Sequence, residues 1–361
     1  MSQQTNPIIH EAKRKSRNWP TAVDLYSGSG AVTAALKRHH FRVVAAIDND
    51  PIACKTYRLN HPSTHMIECD IEQIDPTEIR LNFLEGMDVD LLVVCAPCQP
   101  FSSQNRKRGD DKRSRLILQA GRFAKALRPK IIFFENVPGL ASRDSLLEEL
   151  RAALGRDYML GKPQQIDAAD YGVPQRRIRC IMLATRGAPP PKVPPPTTPG
   201  SSQVSVGETI GHLMRLRTGE SDPFDPLHTA RNHQPIALRR LAAIPKDGGS
   251  RSSLPKELML ACHVGVSASS FPDVYGRMSW KSVAPTLTTG CTDFTRGRFA
   301  HPEDDRAITA REAALLQTFP FNYRFAGTSS DIGAQIGNAV PVKLVEALVP
   351  TFRQALSEQT S

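Results

Sequence analysis

The sequence lacks the features of a membrane protein, a secreted protein and a disulfide-rich domain. No run approaches the roughly 18 uninterrupted apolar residues that a membrane helix needs. Residues 1–15 include several basic side chains, but the apolar core that a signal peptide would need does not follow them. The seven cysteines are an odd number with irregular spacing, which argues against a disulfide framework and for a reducing compartment. We therefore expect a cytoplasmic protein.

Two common nucleotide-binding motifs are also absent. The turn with Gly28 and Gly30 has Thr33 where a dinucleotide-binding Gly-x-Gly-x-x-Gly needs its third glycine, and no Gly-Lys-Ser/Thr of a P-loop is present. Asp48 closes the next strand-like run, where an acidic side chain reaches the ribose hydroxyls of an adenosine-type cofactor. Asp70 follows a third such run and is placed to reach the adenine edge. The turn favours a nucleoside cofactor without a pyrophosphate, such as S-adenosylmethionine.

Short apolar runs alternate with helix-like segments in the first half of the chain, which predicts an α/β fold with a parallel sheet covered on both faces. Strands are expected at 21–26, 42–47, 90–95, 130–134 and 179–184, and helices at 31–39, 309–319 and after 341. The proline-rich run 188–200 predicts a linker. With 46 Lys and Arg against 36 Asp and Glu, the net charge of +10 suits a polyanionic partner without requiring one.

A cysteine lies between two prolines at the end of an apolar strand. Pro97 and Pro100 bracket Cys98 at the carboxyl end of the predicted sheet, where a thiolate with a lowered pKa would be a nucleophile. A buried structural cysteine is the alternative. Cys95 and Cys98 also form a C-x-x-C pair, typical of redox or zinc chemistry, but Cys95 would lie inside the strand and no second C-x-x-C exists.

A second strand ends in a carboxylate. Glu135 follows five residues, 130–134, of which all but the first are apolar, so it is predicted at the same sheet edge as Cys98. A sheltered carboxyl group there can hold or donate a proton. A solvated loop carboxylate is the alternative.

Together these motifs resemble the DNA cytosine-5 methyltransferase family, in the family's order. The matching segments are 24–30, 97–102, 135–137, 167–179, 309–320 and 337–341. Two positions depart from the family pattern, since Asp48 stands where Glu is usual and Tyr26 where Phe is common.

The resemblance implies the Rossmann-like sheet of S-adenosylmethionine-dependent methyltransferases with a smaller, irregular target-recognition domain. The implied parts are a basic arm at 1–18, a catalytic and cofactor-binding domain at 19–186, a target-recognition domain at 187–276, and a return to the catalytic domain at 277–361. Basic residues of 187–276 would mostly contact phosphates, namely Arg215, Arg217, Arg231, Arg239, Arg240, Lys246 and Arg251. Segment 102–115 would be a basic loop that closes on the DNA.

The resemblance also implies a covalent mechanism. Cys98 would add to C6 of a cytosine, Glu135 would hold N3, and Arg177 or Arg179 would contact O2. S-adenosylmethionine would bind and leave as S-adenosylhomocysteine, and no metal is expected. The implied cofactor-binding residues are Asp24, Tyr26, Gly28, Gly30, Asp48, Asp70, Ile71, Pro97, Leu116, Asn338 and Val340.

The implied partner is double-stranded DNA with the target base flipped out of the stack. The resemblance also implies a cognate restriction endonuclease that acts on the same site, a monomeric state, and a location at the nucleoid of a prokaryote-like cell. Three alternatives remain open at this stage. They are the same chemistry on tRNA, a catalytically silent DNA-binding relative, and a dithiol oxidoreductase.

Overall fold

The protein is built around a mostly parallel sheet and a second, less regular unit. The computed structural model describes residues 19–84, 87–97, 112–260 and 273–359. The strands are β1 (Thr21–Leu25), β2 (Arg42–Asp48), β3 (His65–Glu68), β4 (Leu91–Val94), β5 (Ile131–Asn136), β6 (Tyr158–Leu160), β7 (Gln164–Asp167), β8 (Ile178–Arg186), β9 (Ser221–Asp222) and β10 (Asp225–Thr229). The helices are α1 (Ala31–Arg38), α2 (Pro51–Asn60), α3 (Pro76–Phe83), α4 (Ala120–Leu127), α5 (Asp144–Leu154), α6 (Val206–Ile210), α7 (Pro235–Ala242), α8 (Ala310–Leu316), α9 (Ser329–Asn338) and α10 (Val342–Glu358).

Local sequence explains why these elements form where they do. The strands β1, β4 and β5 are buried along their whole length, because helices cover the central strands of a parallel sheet on both faces. α2 and α3 each begin with a proline after an aspartate, Asp50 or Asp75, whose carboxylate accepts hydrogen bonds from the free N–H groups of the first turn. The α/β fold predicted from the sequence is confirmed.

The order of the strands determines where a ligand can bind. The sheet runs β3-β2-β1-β4-β5-β8-β6, with β7 paired to β8. The first five strands pair in parallel, and β8 runs antiparallel to β5 and β6. The chain leaves β1 for β2 and β3 on one side and returns to β4 on the other. Sheets with such a reversal bind ligands at the carboxyl ends of the two strands that flank it.

The first unit has its core on both faces of this sheet. It comprises residues 1–166, 178–195 and 345–361. On one face, Leu92, Phe134 and Phe123 belong to a single buried apolar cluster. On the other face, the rings of Phe133 and Phe352 lie 5.2 Å apart, so α10 packs on β5.

The second unit, residues 167–177 and 196–344, is stabilised by buried ion pairs as well as apolar contacts. Its apolar cluster includes Leu241, Tyr275 and Phe294. The fully buried guanidinium of Arg306 makes two hydrogen bonds of 2.8 Å to the buried carboxylate of Glu312. Buried charges of this kind need such a partner, because an unpaired charge is costly to take out of water.

The two units divide inside the proline-rich run, between Pro195 and Pro196. Most of the predicted target-recognition segment 187–276 lies in the second unit, together with 277–344. The functional boundaries proposed from the sequence remain a prediction.

One apolar stretch of the described chain, 329–358, is long enough to span a membrane. However, 56% of its most apolar window is buried inside the protein. A buried core helix gives the same signal, so this stretch is weak evidence for a membrane span.

Candidate active site

The turn after β1 has a left-handed backbone at three positions. Tyr26, Gly28 and Gly30 have φ angles of 58°, 51° and 92°. A Cβ atom at Gly30 would lie 2.6 Å from the ring of His61, so this position requires glycine for space as well as for conformation. At Gly28 a Cβ atom would meet nothing within 4 Å, so the outer side of the turn is open.

Asp48, at the end of β2, lies against this turn. Its Oδ2 accepts a 2.8 Å hydrogen bond from the Gly28 N–H, and its Oδ1 accepts one of 2.9 Å from the Asp50 N–H. Burial raises the pKa of Asp48, and the backbone donors partly offset that rise. The structure therefore brings together the glycine turn and the acidic residue predicted to serve the same ligand.

Asp24 lies in β1 beneath the turn and is fully buried. Its Oδ2 accepts a 2.8 Å hydrogen bond from the Thr33 hydroxyl, while its Oδ1 has no hydrogen-bond partner among the described residues. Burial raises the pKa of Asp24 to about 7, and the charge of Asp48 adds to the rise. A buried acceptor without a partner beside an open glycine suits a ligand that carries donors or positive charge. These residues therefore fit S-adenosylmethionine, which has an amino group, ribose hydroxyls and a sulfonium ion.

The tyrosine of the turn connects it to a distant part of the chain. The Tyr26 hydroxyl donates a 2.7 Å hydrogen bond to the Leu116 carbonyl oxygen. Burial raises the pKa of Tyr26, and the nearby carboxylates of Glu72 and Asp70 raise it further. Ile71, between them, is buried. Three predicted cofactor residues, Leu116, Asp70 and Ile71, thus lie near a fourth, Tyr26.

The predicted nucleophile, Cys98, and the rest of the loop 98–111 lie outside the described residues. The segment that enters this loop is described as far as Pro97, which is exposed. The buried side chain of Asn136, at the end of β5, donates a 3.2 Å hydrogen bond to the Ala96 carbonyl oxygen. Its own Oδ1 accepts a 2.8 Å bond from the Val137 N–H. Asn136 therefore fixes the backbone two residues before Cys98.

Glu135 and Arg179 form an ion pair across two neighbouring strands. They lie on β5 and β8, which pair antiparallel. The Arg179 Nε lies 2.8 Å from the Glu135 Oε1, and the two side chains are only 12% and 10% exposed. A carboxylate paired in so sheltered a place is held in one orientation.

Cys95 lies beside this pair. Its sulfur accepts a hydrogen bond from the Glu135 backbone, and burial raises its pKa well above the ordinary value, with further contributions from the Glu135 and Asp24 carboxylates. Burial and the Glu135 carboxylate also raise the pKa of Cys180, on β8, to about 12. Thiols with raised pKa values are poor nucleophiles, which disfavours the dithiol alternative for Cys95.

Arg177 has different surroundings from Arg179, in the second unit. Its buried guanidinium donates to the carbonyl oxygens of Leu287 and Gly337, both at 2.9 Å, and of Ala339 at 3.1 Å. It also donates to the Gln175 Oε1 at 3.3 Å. These bonds join three distant segments of the chain, so the observed contacts of Arg177 are structural.

The segment 337–341 belongs to the same network. Gln317 donates to the carbonyl oxygens of Ile336 and Ala339, at 2.9 and 2.7 Å. Asn338 is exposed and Val340 is buried. These two predicted cofactor residues lie in the second unit, whereas the other cofactor-binding candidates lie in the first.

Sequence reasoning did not single out Asn136, Thr33 or Gln317. Asn136 and Gln317 lie inside segments that resemble the family's motifs, and this location is the one sequence feature that could have marked them as functional. Thr33 was considered only as a departure from a dinucleotide motif. No local pattern indicates that its hydroxyl contacts Asp24.

Comparison with known proteins defines the class. A family model described as C-5 cytosine-specific DNA methylase matches residues 21–353. The chain belongs to this family, and it is a DNA cytosine-5 methyltransferase.

Individual relatives cover nearly the whole chain. The type II methylase M.HgiDII of Herpetosiphon aurantiacus is 36% identical, over 92% of this chain and 95% of the relative. The type II methyltransferase M.XorII of Xanthomonas oryzae pv. oryzae is 30% identical, over 94% and 86%.

Solved structures support the fold. A DNA modification methyltransferase encoded within an Escherichia coli prophage has a TM-score of 0.74 at 23% identity, covering 94% of this chain and 99% of its own. Spodoptera frugiperda DNMT2 has a TM-score of 0.60 at 19% identity, covering 92% and 99%. At these identities the likeness concerns the fold alone.

Proposed function

We propose that this enzyme transfers a methyl group from S-adenosylmethionine to C5 of a cytosine in duplex DNA at a specific sequence, through a covalent bond between Cys98 and C6. The observation that carries the proposal is the buried Glu135–Arg179 pair. It lies at the strand ends from which Asn136 holds the backbone that leads into Cys98. Family membership supplies the reaction class, and this arrangement supports the choice of residues.

The cofactor supplies an electrophilic methyl group on a positively charged sulfur. Asp48 and the Gly28 turn would bind its ribose, and Asp24 would offer its free oxygen to a donor. Tyr26, Asp70, Ile71, Leu116 and Pro97 complete the proposed cofactor set in the first unit, and Asn338 and Val340 complete it in the second.

Cytosine C5 needs activation, because it is a weak nucleophile. The Cys98 thiolate forms a bond to C6, and the π electrons of the C5–C6 bond move to C5. C5 would then take the methyl group that S-adenosylmethionine supplies, with S-adenosylhomocysteine, which keeps the electron pair of the broken carbon–sulfur bond, as the product. A base removes the C5 proton, the double bond forms again, and the Cys98 thiolate is expelled.

Glu135 and Arg179 would recognise the edge of the cytosine. Glu135 holds N3 and supplies the proton that neutralises the ring while Cys98 is attached, and it takes this proton back when the thiolate leaves. Arg179 donates to O2. We assign O2 to Arg179 rather than Arg177, because Arg177 already donates to carbonyl oxygens of the second unit.

Attack at C6 and methylation at C5 require access to both faces of the ring, so the cytosine must leave the base stack at a cost of a few kcal/mol. Segment 187–276 would carry the target-recognition domain. The type II designation of the relatives supports a cognate restriction endonuclease as a partner and a cytoplasmic location. The monomeric state and the location near the DNA remain predictions from the sequence.

Trapping with 5-fluorocytosine tests the covalent step, because fluorine at C5 cannot be removed as a proton is. With duplex DNA that contains 5-fluorocytosine and S-adenosylmethionine, the wild type should form a covalent adduct. Cys98→Ala should form none, while Cys95→Ala should still form one. An adduct with Cys98→Ala, or none with the wild type, would overturn the mechanism.

The substrate needs its own test. Bisulfite sequencing of DNA from cells that express the protein would report activity, substrate and site together. Methyl transfer from labelled cofactor to tRNA but not to duplex DNA would overturn the choice of substrate, and the chemistry would still stand. Salt-sensitive binding without any methyl transfer would indicate a silent DNA-binding protein.

A further inference from the structure

A buried carboxylate in the second unit is shared by two exposed arginines. Asp293 precedes a short turn of 3₁₀ helix, Phe294–Arg296, and caps it. Its Oδ1 accepts hydrogen bonds from the backbone N–H of Thr295 at 3.0 Å and from its hydroxyl at 2.7 Å. The Asp293 side chain is 10% exposed, and it cannot swing away without breaking this cap.

The other oxygen of Asp293 faces the two guanidinium groups. The Arg231 Nη1 donates to Oδ2 at 3.0 Å, and the Arg296 Nε lies 3.8 Å from the same oxygen. The side chains of Arg231 and Arg296 remain 54% and 65% exposed. Two positive groups from distant parts of the sequence thus converge at the surface on one buried anion.

Neighbouring residues hold both arginines in place. The Arg231 carbonyl oxygen accepts a 3.1 Å hydrogen bond from the Thr218 hydroxyl. A Cβ atom at Gly290 would lie 2.5 Å from the Arg296 Cδ, so the stem of Arg296 packs directly on this glycine. The imidazole of His233 lies 3.7 Å from Asp293 and stacks on Phe294 at 4.1 Å. Side chains that are ordered in advance lose less entropy when they bind a ligand.

The charges of this cluster do not cancel. Two arginines share one carboxylate, which leaves about one positive charge at the surface. At Arg215 the carboxylates outnumber the arginine, since its guanidinium pairs with both Glu303 and Asp304. Lys246 and Arg277 also share one carboxylate, that of Asp305, but Arg277 is fully buried and cannot reach a ligand.

We infer that Arg231 and Arg296, oriented by Asp293, form a binding site for one phosphate of the DNA backbone. The inference rests on duplex DNA being the substrate, as proposed above. A phosphodiester carries a single negative charge and acceptor oxygens, which match the residual charge and the free N–H groups of the pair. Such a contact positions the duplex without selecting a base.

The test compares the double variant Arg231→Gln/Arg296→Gln with the wild type and with Arg151→Gln. Arg151, on α5, is 44% exposed, pairs with Glu148 and belongs to no predicted binding site. Binding to a short duplex is measured over a range of salt concentrations. For the double variant, affinity should fall about tenfold on every duplex. The slope of log K against log salt should become shallower by about 0.9, the value of one phosphate contact. Arg151→Gln should leave the slope unchanged.

Two results would overturn the site. One is a salt slope of the double variant equal to that of Arg151→Gln. The other is a loss of affinity confined to duplexes that contain the methylated sequence, since the pair would then contact a base. Thermal unfolding of each variant checks that the fold is intact. If the wild type binds no duplex at all, both the proposed substrate and this site are wrong. If the wild type binds duplex but the double variant gives one of the two results above, only the site is wrong.

Discussion

Arg177 and Arg179 carry the same side chain two residues apart, yet they have different surroundings. Arg177 donates to main-chain oxygens of the second unit, whereas Arg179 pairs with Glu135 on the sheet. The sequence left both as candidates for the same contact with the substrate. At the scale of single residues, the partners of a side chain decide its role, and these partners are distant in sequence.

The hydroxyl of Tyr26 provides one prediction at this scale. Tyr26→Phe removes only the hydrogen bond to the Leu116 carbonyl oxygen and keeps the ring. Cofactor affinity should fall by about 1 kcal/mol, roughly fivefold, because the turn loses one of its anchors. Calorimetry with S-adenosylhomocysteine measures the change.

Tyr158→Phe is the matched control, since it loses a similar 2.8 Å bond, to the Pro129 carbonyl oxygen, at the edge of the sheet. It should cost comparable stability without affecting cofactor affinity. Equal affinities of Tyr26→Phe and the wild type would contradict the proposed role.

Asp24 provides a prediction on pH. Its pKa is raised from 3.8 to about 7 in the folded protein, so the fold favours the neutral carboxyl group. The neutral Asp24 carboxyl group contributes to the free energy of unfolding at low pH. This contribution is lost as the pH rises through about 7, and the free energy of unfolding falls by up to about 1.4 kcal/mol per pH unit. Asp24→Asn should lack this loss.

The stability of Asp24→Asn relative to the wild type should therefore increase from pH 4 to 7 and level off above that range. Urea unfolding of both proteins across this range measures the difference. A constant difference would show that Asp24 does not titrate in this window.

At the scale of elements, the ends of strands and helices position the candidate residues within each unit. β5 presents Glu135 and Asn136, and β8 presents Arg179 opposite them. The helix α9 ends at Asn338, where the buried bonds of Arg177 and Gln317 hold the chain. These ends are tied by side chains to backbone carbonyl oxygens, which fixes them more firmly than loops alone.

The packing of α9 can be tested with two glycines one turn apart. A Cβ atom at Gly337 would lie 2.3 Å from the backbone of Thr288, so Gly337→Ala should destabilise the protein by about 1–3 kcal/mol. At Gly333 the nearest atom, the Thr289 carbonyl oxygen, would be 3.4 Å away. Gly333→Ala should therefore be tolerated, and it should gain up to about 1 kcal/mol from helix propensity. Chemical denaturation measures both, and equal effects would contradict the packing argument.

At the scale of the whole molecule, the predicted target-recognition segment does not fold separately from residues 277–344. Asp225 and Arg311 form a buried ion pair with a 3.0 Å hydrogen bond, and His228 lies 2.9 Å from the Thr309 hydroxyl. Tyr275 and Phe294 pack in one apolar cluster. The segment up to 276 and the helix α8 therefore share a core.

Exchange of segment 201–276 for that of a relative that methylates a different sequence tests the recognition role. If Asp225 and His228 are kept, the hybrid should fold, methylate a different sequence and retain its affinity for S-adenosylhomocysteine. A hybrid without these two residues should be less stable, since Arg311 would lose its buried partner. An unchanged methylation site in a folded hybrid would place the recognition residues outside 201–276.

The sequence by itself determined the α/β fold and the motifs that define the family. It also indicated the pairing of the glycine turn with Asp48. These features are local, since strand periodicity, helix caps and short motifs depend on residues close together in the chain.

Only the tertiary structure decided that Arg179 rather than Arg177 pairs with Glu135, that Tyr26 bonds to Leu116, and that Arg231 and Arg296 converge on Asp293. In most of these contacts the partners are separated by tens of residues, and no local pattern encodes which of several arginines meets a given carboxylate. Burial then gives each contact its chemical consequence, because it removes the water that would otherwise compete for the same charges and hydrogen bonds.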